Sequence, residues 1–225
     1  MTLDTPALKV RALRKSFPDP EGGRVEVLHV EDLVLERGRT LAVLGESGSG
    51  KTTLLHVVAG ILPADGGSVE IVGRPMSGLG ETARDRLRAE HIGYLFQTFN
   101  LLPHLTALEN VTLGMTFRPR AGESPRERAR DALDRVGLSD RLAYRPPQLS
   151  VGQQQRVAIA RALAGRPALV LADEPTANLD AVRAQESLDL LLTFAEECGA
   201  AVLAVTHDDR ALVRFQDRLT LGEPA

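Results

Sequence analysis

Thr40-Leu-Ala-Val-Leu44 runs directly into Gly45-Glu46-Ser47-Gly48-Ser49-Gly50-Lys51-Thr52-Thr53-Leu-Leu55. The first five residues read as a buried strand and Gly50–Gly60 as a helix, so a glycine-rich turn joins the two. Gly45 to Thr52 fits the pattern GxxxxGK[ST]. Gly45, Gly48 and Gly50 let the backbone wrap tightly enough for successive N–H groups to face phosphate oxygens. The helix behind them directs the positive end of its dipole at the same oxygens. Lys51 adds a compact positive charge for the terminal phosphates, and the Thr52 hydroxyl is placed to ligate Mg2+. Glu46, Ser47, Ser49 and Thr53 complete the cradle.

Three more apolar runs, Ile92–Phe96, Ala168–Ala172 and Ala200–Thr206, read as strands covered on both faces. Helix-length segments lie between them, Gly152–Ala164 most clearly. Alternation of this kind predicts an α/β fold with a mostly parallel core sheet. Two regions depart from it. Residues 1–38 together with 66–73 contain short strands, such as Val25–Val30, Asp32–Glu36 and Ser68–Val72, separated by Gly and Pro, and predict an antiparallel β subdomain. Residues 98–150 predict an inserted helical subdomain, with helix from Thr106 to about Arg145. Within it, Ser124-Pro-Arg-Glu127 is a capping box with Pro125 at the first helical position, and Gly137 is the stop. One compact unit over residues 1–225 is expected.

Ala168-Leu-Val-Leu-Ala-Asp173-Glu174 is an apolar strand that ends in two carboxylates. Asp173 is placed at the sheet edge where ligands bind in open α/β folds, to hold a metal directly or through water. Glu174 beside it is a candidate to activate water. These elements together specify a nucleoside-triphosphate binder. The absence of an NKxD-type guanine reader argues against a GTPase.

Composition narrows the classes. The 225 residues carry 27 Lys+Arg against 30 Asp+Glu, a net charge of −3, which argues against a nucleic-acid binder. The longest apolar run, Leu54 to Leu62, is far short of the roughly 20 residues of a membrane span. No secretory signal is read at the N-terminus, so a cytoplasmic chain is expected. Cys198 is the only cysteine, which excludes an internal disulfide. Lysine is scarce: Lys9, Lys15 and Lys51 are the only three.

Leu149-Ser150-Val151-Gly152-Gln153-Gln-Gln-Arg156 resembles the LSGGQ signature of ATP-binding-cassette (ABC) ATPases. The resemblance spans nearly the whole chain. Gln97 matches the Q-loop glutamine, Ala177-Asn-Leu-Asp180 the D-loop and His207 the switch histidine. Phe17 lies near the aromatic that stacks on adenine. The resemblance implies a RecA-like core and an ATPase using ATP and Mg2+. It also implies that two copies sandwich two ATP molecules head to tail, so that Ser150 and the Gly152 N–H of one copy meet the γ-phosphate held by the other, with Gln153 also at the nucleotide. His207 would contact that phosphate, Gln97 would sense Mg2+ and the attacking water, and Asp180 would couple the sites. Val151 stands where the family usually has glycine. It either takes a negative φ or strains the loop.

Gln97-Thr-Phe-Asn-Leu-Leu-Pro-His-Leu-Thr-Ala-Leu-Glu-Asn-Val111 and Asp173-Glu-Pro-Thr-Ala-Asn-Leu-Asp180 are similar to segments of the macrolide-export and lipoprotein-release subfamily (MacB, LolD and FtsE). That similarity implies a separate membrane permease docking near Gln97–Val111, with Phe99, Leu101 and Leu102 as an apolar surface. The chain would then sit on the inner face of the cell membrane. A regulatory role through a permease-like partner is the alternative. Ribosomal and DNA-repair relatives fit less well, because one cassette is present and Gln97 to Leu149 leaves no room for a coiled coil. No added regulatory domain is expected after His207.

Overall fold

The computed structural model describes residues 5–20, 22–46, 48–116, 122–177 and 179–222, with the backbone alone for Asp209. Ser47 lies outside the described residues.

The apolar runs form strands to within one residue of the expected ends. They are β3 (Thr40–Leu44), β6 (Ile92–Leu95), β7 (Leu169–Asp173) and β8 (Ala201–Val205). With β9 (Asp217–Thr220) they make a parallel sheet in the order β6-β7-β8-β3-β9. Every residue of β7 and β8 is buried. The period of two divides them between two cores. Leu169, Leu171, Leu203 and Val205 join the cluster containing Leu54 and Leu55 of α1 (Lys51–Val58). Val170, Ala172, Val202 and Ala204 join the cluster of α5 (Val151–Leu163) and α6 (Ala181–Glu197). Helices on both faces are why these strands read as continuous apolar runs.

An antiparallel sheet of order β2-β1-β4-β5 comprises β1 (Leu8–Pro18), β2 (Arg24–Leu35), β4 (Gly66–Ile71) and β5 (Arg74–Pro75). Here the structure corrects one expectation. Val25–Val30 and Asp32–Glu36 are a single twelve-residue strand. The alternation slips phase at Glu31 and Asp32, both exposed, which imitates a break. The partner strand slips at the same place, where Ala12 takes a left-handed φ of 44° and the pairing resumes on either side. Lys15, buried on β1, pairs with Asp65 at 3.1 Å, and Asp65 also accepts from the Ser16 N–H at 2.7 Å. Those two contacts hold the Asp65 carboxyl below its usual range, the backbone hydrogen bond contributing most.

The helical stretch contains α3 (Ala107–Leu113) and α4 (Pro125–Arg135), followed by 3₁₀ turns at Ser139–Arg141 and Pro146–Gln148. Ser124 caps α4 by accepting from the Glu127 N–H at 3.4 Å. Gly137, at φ 72°, ends it in a Schellman arrangement: Leu138 N–H reaches Leu133 O and Gly137 N–H reaches Asp134 O, each at 2.8 Å. The helix over Glu81–His91 carries no clear sequence signal. In α2 (Glu81–His91) only Leu87 is fully buried, so the segment lacks an apolar stripe.

Candidate functional site

The C-terminal ends of β3, β6, β7 and β8 lie along one edge of the parallel sheet, and the candidate residues sit in the loops leaving them. Gly50 is the N-cap of α1 at φ 84°, and no side chain caps this end. A Cβ at Gly50 would lie 2.3 Å from the Val27 carbonyl oxygen, so only glycine fits there. The first-turn N–H groups of α1 therefore remain available to a ligand. Lys51 Nζ donates to the carbonyls of Gly45 at 2.7 Å and Glu46 at 2.6 Å, which holds the ammonium over the loop. Thr52 Oγ1 donates to Asp173 Oδ1 at 3.2 Å. Burial raises the Asp173 carboxyl above the usual range, and the Thr52 hydrogen bond opposes this.

Glu174, the next residue, has a left-handed φ of 46°. Its N–H donates to Val205 O at 3.0 Å. Its Oε1 lies 2.8 Å from Nδ1 of His207. An ionised carboxylate only accepts, so Nδ1 carries the proton in that pair. The glutamate is largely buried and the histidine largely exposed. A cavity of about 600 Å³ is lined by Val27, Gly48, Gly50, Lys51, Thr52, Thr53, Gln97, Glu174 and His207.

Two groups stand apart from that cavity. Phe17 is half-buried on β1, opposite Val25, with Lys15 Nζ 5.5 Å from its ring centroid. Val27, not singled out in the sequence, lines the cavity. No motif marks it, only its place on the strand that passes Gly50. The signature residues begin α5. Ser150 Oγ accepts from the Gln153 N–H at 3.3 Å, and Gln153 Oε1 accepts from the Ser150 N–H at 3.0 Å, closing a capping box. With Gly152, Leu179 and Arg183 they line a different cavity of about 290 Å³. Asp180 caps α6, accepting from the Arg183 N–H at 3.1 Å. One chain thus gathers the phosphate loop, Gln97, Asp173, Glu174 and His207 in one place, and Ser150, Gly152 and Gln153 in another.

Val151 opens α5 with no positive φ and is 48% exposed. The strained alternative is therefore set aside, because a helical first position accepts valine. Glycine there would add backbone freedom worth about 0.4–1 kcal/mol, a factor of roughly 2–5. Val151→Gly is accordingly expected to change ATP turnover by no more than a few-fold. Identical turnover and identical ATP-driven dimerisation in both proteins would show the position to be neutral.

Of the three apolar residues expected to face a partner, Leu102 is exposed, whereas Phe99 and Leu101 pack partly against the core. The loop that carries them is fixed from inside. Arg161 donates to the carbonyls of Phe99 and Asn100, and buried Asn110 bonds the Leu102 N–H and three carbonyls of the turn.

The pattern of the family described as "ABC transporter" matches residues 28–177. This chain is an ABC transporter ATP-binding protein. YbbA of Escherichia coli K12, an uncharacterized ABC transporter ATP-binding protein, is 45% identical over 214 residues, covering 95% of this chain and 93% of that protein. The lipoprotein-releasing system ATP-binding protein LolD of Pseudomonas syringae pv. tomato is 45% identical over 217 residues, covering 96% and 94%. Among solved structures, the ATP-binding cassette MJ0796 in a dimeric post-hydrolysis state with ADP and Pi superposes with a TM-score of 0.86. It is 37% identical and covers 96% of each chain. A second dimeric structure of MJ0796 gives a TM-score of 0.85. The ABC protein described here is thus an ATPase subunit of a transporter in the MacB, LolD and FtsE-like subfamily, with the cassette fold. No helix among its described residues is long and apolar enough to cross a membrane.

Proposed function

We propose that two copies of this chain close head to tail around two ATP–Mg2+ molecules and that this cycle drives a separate membrane permease. The observation that carries the reading is the separation of the phosphate loop from the signature within one chain. Both can touch one γ-phosphate only if a second copy supplies the signature. Two-fold symmetry then builds two identical sites from one chain type. The dimeric state of the MJ0796 cassette, in one case with ADP and Pi, supports it.

Each residue then has a role. Lys51 and the N–H groups of residues 45–53 hold the phosphates. Thr52 and Asp173 fit Mg2+: a hydroxyl and a carboxylate 3.2 Å apart are hard oxygen donors. No cluster of three or more His, Cys, Asp or Glu suited to a metal occurs among the described residues. That suits an ion that keeps waters and phosphate oxygens in its shell. When bound, the ion neutralises charge on the phosphates. Glu174 takes the proton of the attacking water, and His207 orients the carboxylate and reaches the γ-phosphate. Gln97 senses the ion and water from the cavity wall. Phe17, on the strand paired with the one that carries Val27, serves the adenine ring. Asp180 and the first turn of α6 face the second copy.

The helical stretch carries the permease-docking surface near Gln97–Val111, with Leu102 exposed on it. The chain is held in this way at the cytoplasmic face of the membrane, and its membrane partner reads the cargo. Co-purification of a membrane partner from the source cells tests this. The pair is expected to elute together, and adding the partner is expected to raise ATP hydrolysis. No association and no change in rate would reject the permease reading.

A further inference from the structure

One buried side chain ties the signature helix to the loop that follows Glu174. Gln155, in the second turn of α5, is 2% exposed. Its Nε2 donates to the carbonyl oxygen of Pro175. The opposite orientation of the amide would set oxygen against oxygen, so the assignment follows from chemistry. Oε1 of the same amide is buried without a hydrogen-bond partner, as is Ser187 Oγ of α6, and both residues line the cavity of about 290 Å³ beside the signature. The amide is therefore held from one side, by Pro175.

That bond matters because of its neighbour. Glu174 has a positive φ without being glycine, and it precedes a proline, which restricts it further. A backbone of this kind persists only where its surroundings over-determine it. Three hydrogen bonds do so here. Glu174 N–H reaches Val205 O, and Ala177 N–H reaches Glu174 O at 3.2 Å. Both come from the sheet edge and its own turn. The third, from Gln155, comes from α5. Gln155 lies five positions after Ser150, roughly 7.5 Å along the helix.

We propose that Gln155 is a positioning residue that couples the signature end of α5 to Glu174 of the same chain. Contact of Ser150 with a nucleotide held by a second copy shifts α5 as a rigid rod. Gln155 passes that shift to the Pro175 carbonyl, and so to the carboxylate one residue before it. This deepens the reading above and rests on Glu174 activating water.

Gln155→Met keeps the length of the side chain and removes its donor. The expected result is a roughly tenfold lower kcat, a lower Hill coefficient for ATP, and unchanged ATP affinity and unfolding midpoint. Ser187→Ala serves as the control for packing in the same cavity and is expected to leave kcat unchanged. Should Gln155→Met fail to fold, Gln155→Leu removes the same donor. An unchanged kcat overturns the proposal. So does a fall in kcat matched by equal losses in ATP affinity and unfolding midpoint, or one shared by Ser187→Ala. Glu174→Gln, measured alongside, separates the two failures: normal turnover in that variant rejects the underlying reading, whereas slow turnover there with normal Gln155→Met rejects only the coupling.

Discussion

Glu174→Gln is expected to lower ATP turnover by about 10²–10³-fold while leaving ATP binding intact. The two side chains have the same shape, and the amide oxygen can still accept from His207 Nδ1, now 2.8 Å from Oε1. What disappears is basicity. Oε2 is buried with no hydrogen-bond partner, in a side chain that borders the cavity with Lys51, Thr52 and Gln97. With hydrolysis blocked, ATP should hold two copies together, and size exclusion in ATP and Mg2+ should move the protein from monomer to dimer. A variant that hydrolyses slowly yet stays monomeric would argue against the two-copy site for the isolated chain.

Lys51→Ala is expected to abolish measurable ATP binding. An ammonium has three donors. Two are taken by the carbonyls of Gly45 and Glu46, which leaves the third for an incoming phosphate oxygen. Removing one partner of a desolvated charge pair costs about 3–5 kcal/mol, more than about 10² in affinity. Arginine should not restore it, because a planar guanidinium is too large for a seat between two loop carbonyls. Titration with a fluorescent ATP analogue checks both variants. Near-normal affinity in Lys51→Ala would shift the phosphate site to the backbone alone.

Much of this was legible because the core strands are buried on both faces. β7 up to Ala172 and all of β8 are apolar, and an apolar run that ends in a carboxylate or a histidine stands out. The glycine turn was legible for a related reason: Gly50 abuts the Val27 carbonyl too closely for any side chain. The antiparallel sheet was less so. Its β2 changes phase at Glu31 and Asp32, and the compensation sits on the partner strand, at Ala12, where no local pattern reveals it. α2 escaped notice because it buries little beyond Leu87. The Glu174–His207 bond joins residues from two strand ends, and Gln155–Pro175 joins a helix to a loop. Contacts made by tertiary packing leave no spacing to read. Two of the three lysines have specific partners: Lys15 meets Asp65, and Lys51 bridges the Gly45 and Glu46 carbonyls.

The left-handed backbone at Glu174 sets heat resistance against work at one position. Strain of this kind costs about 1–3 kcal/mol, and glycine would relieve it. A laboratory selection that rewards survival at high temperature alone would therefore push this codon toward glycine, and under the mechanism proposed above the winners would be sturdy proteins that no longer burn ATP.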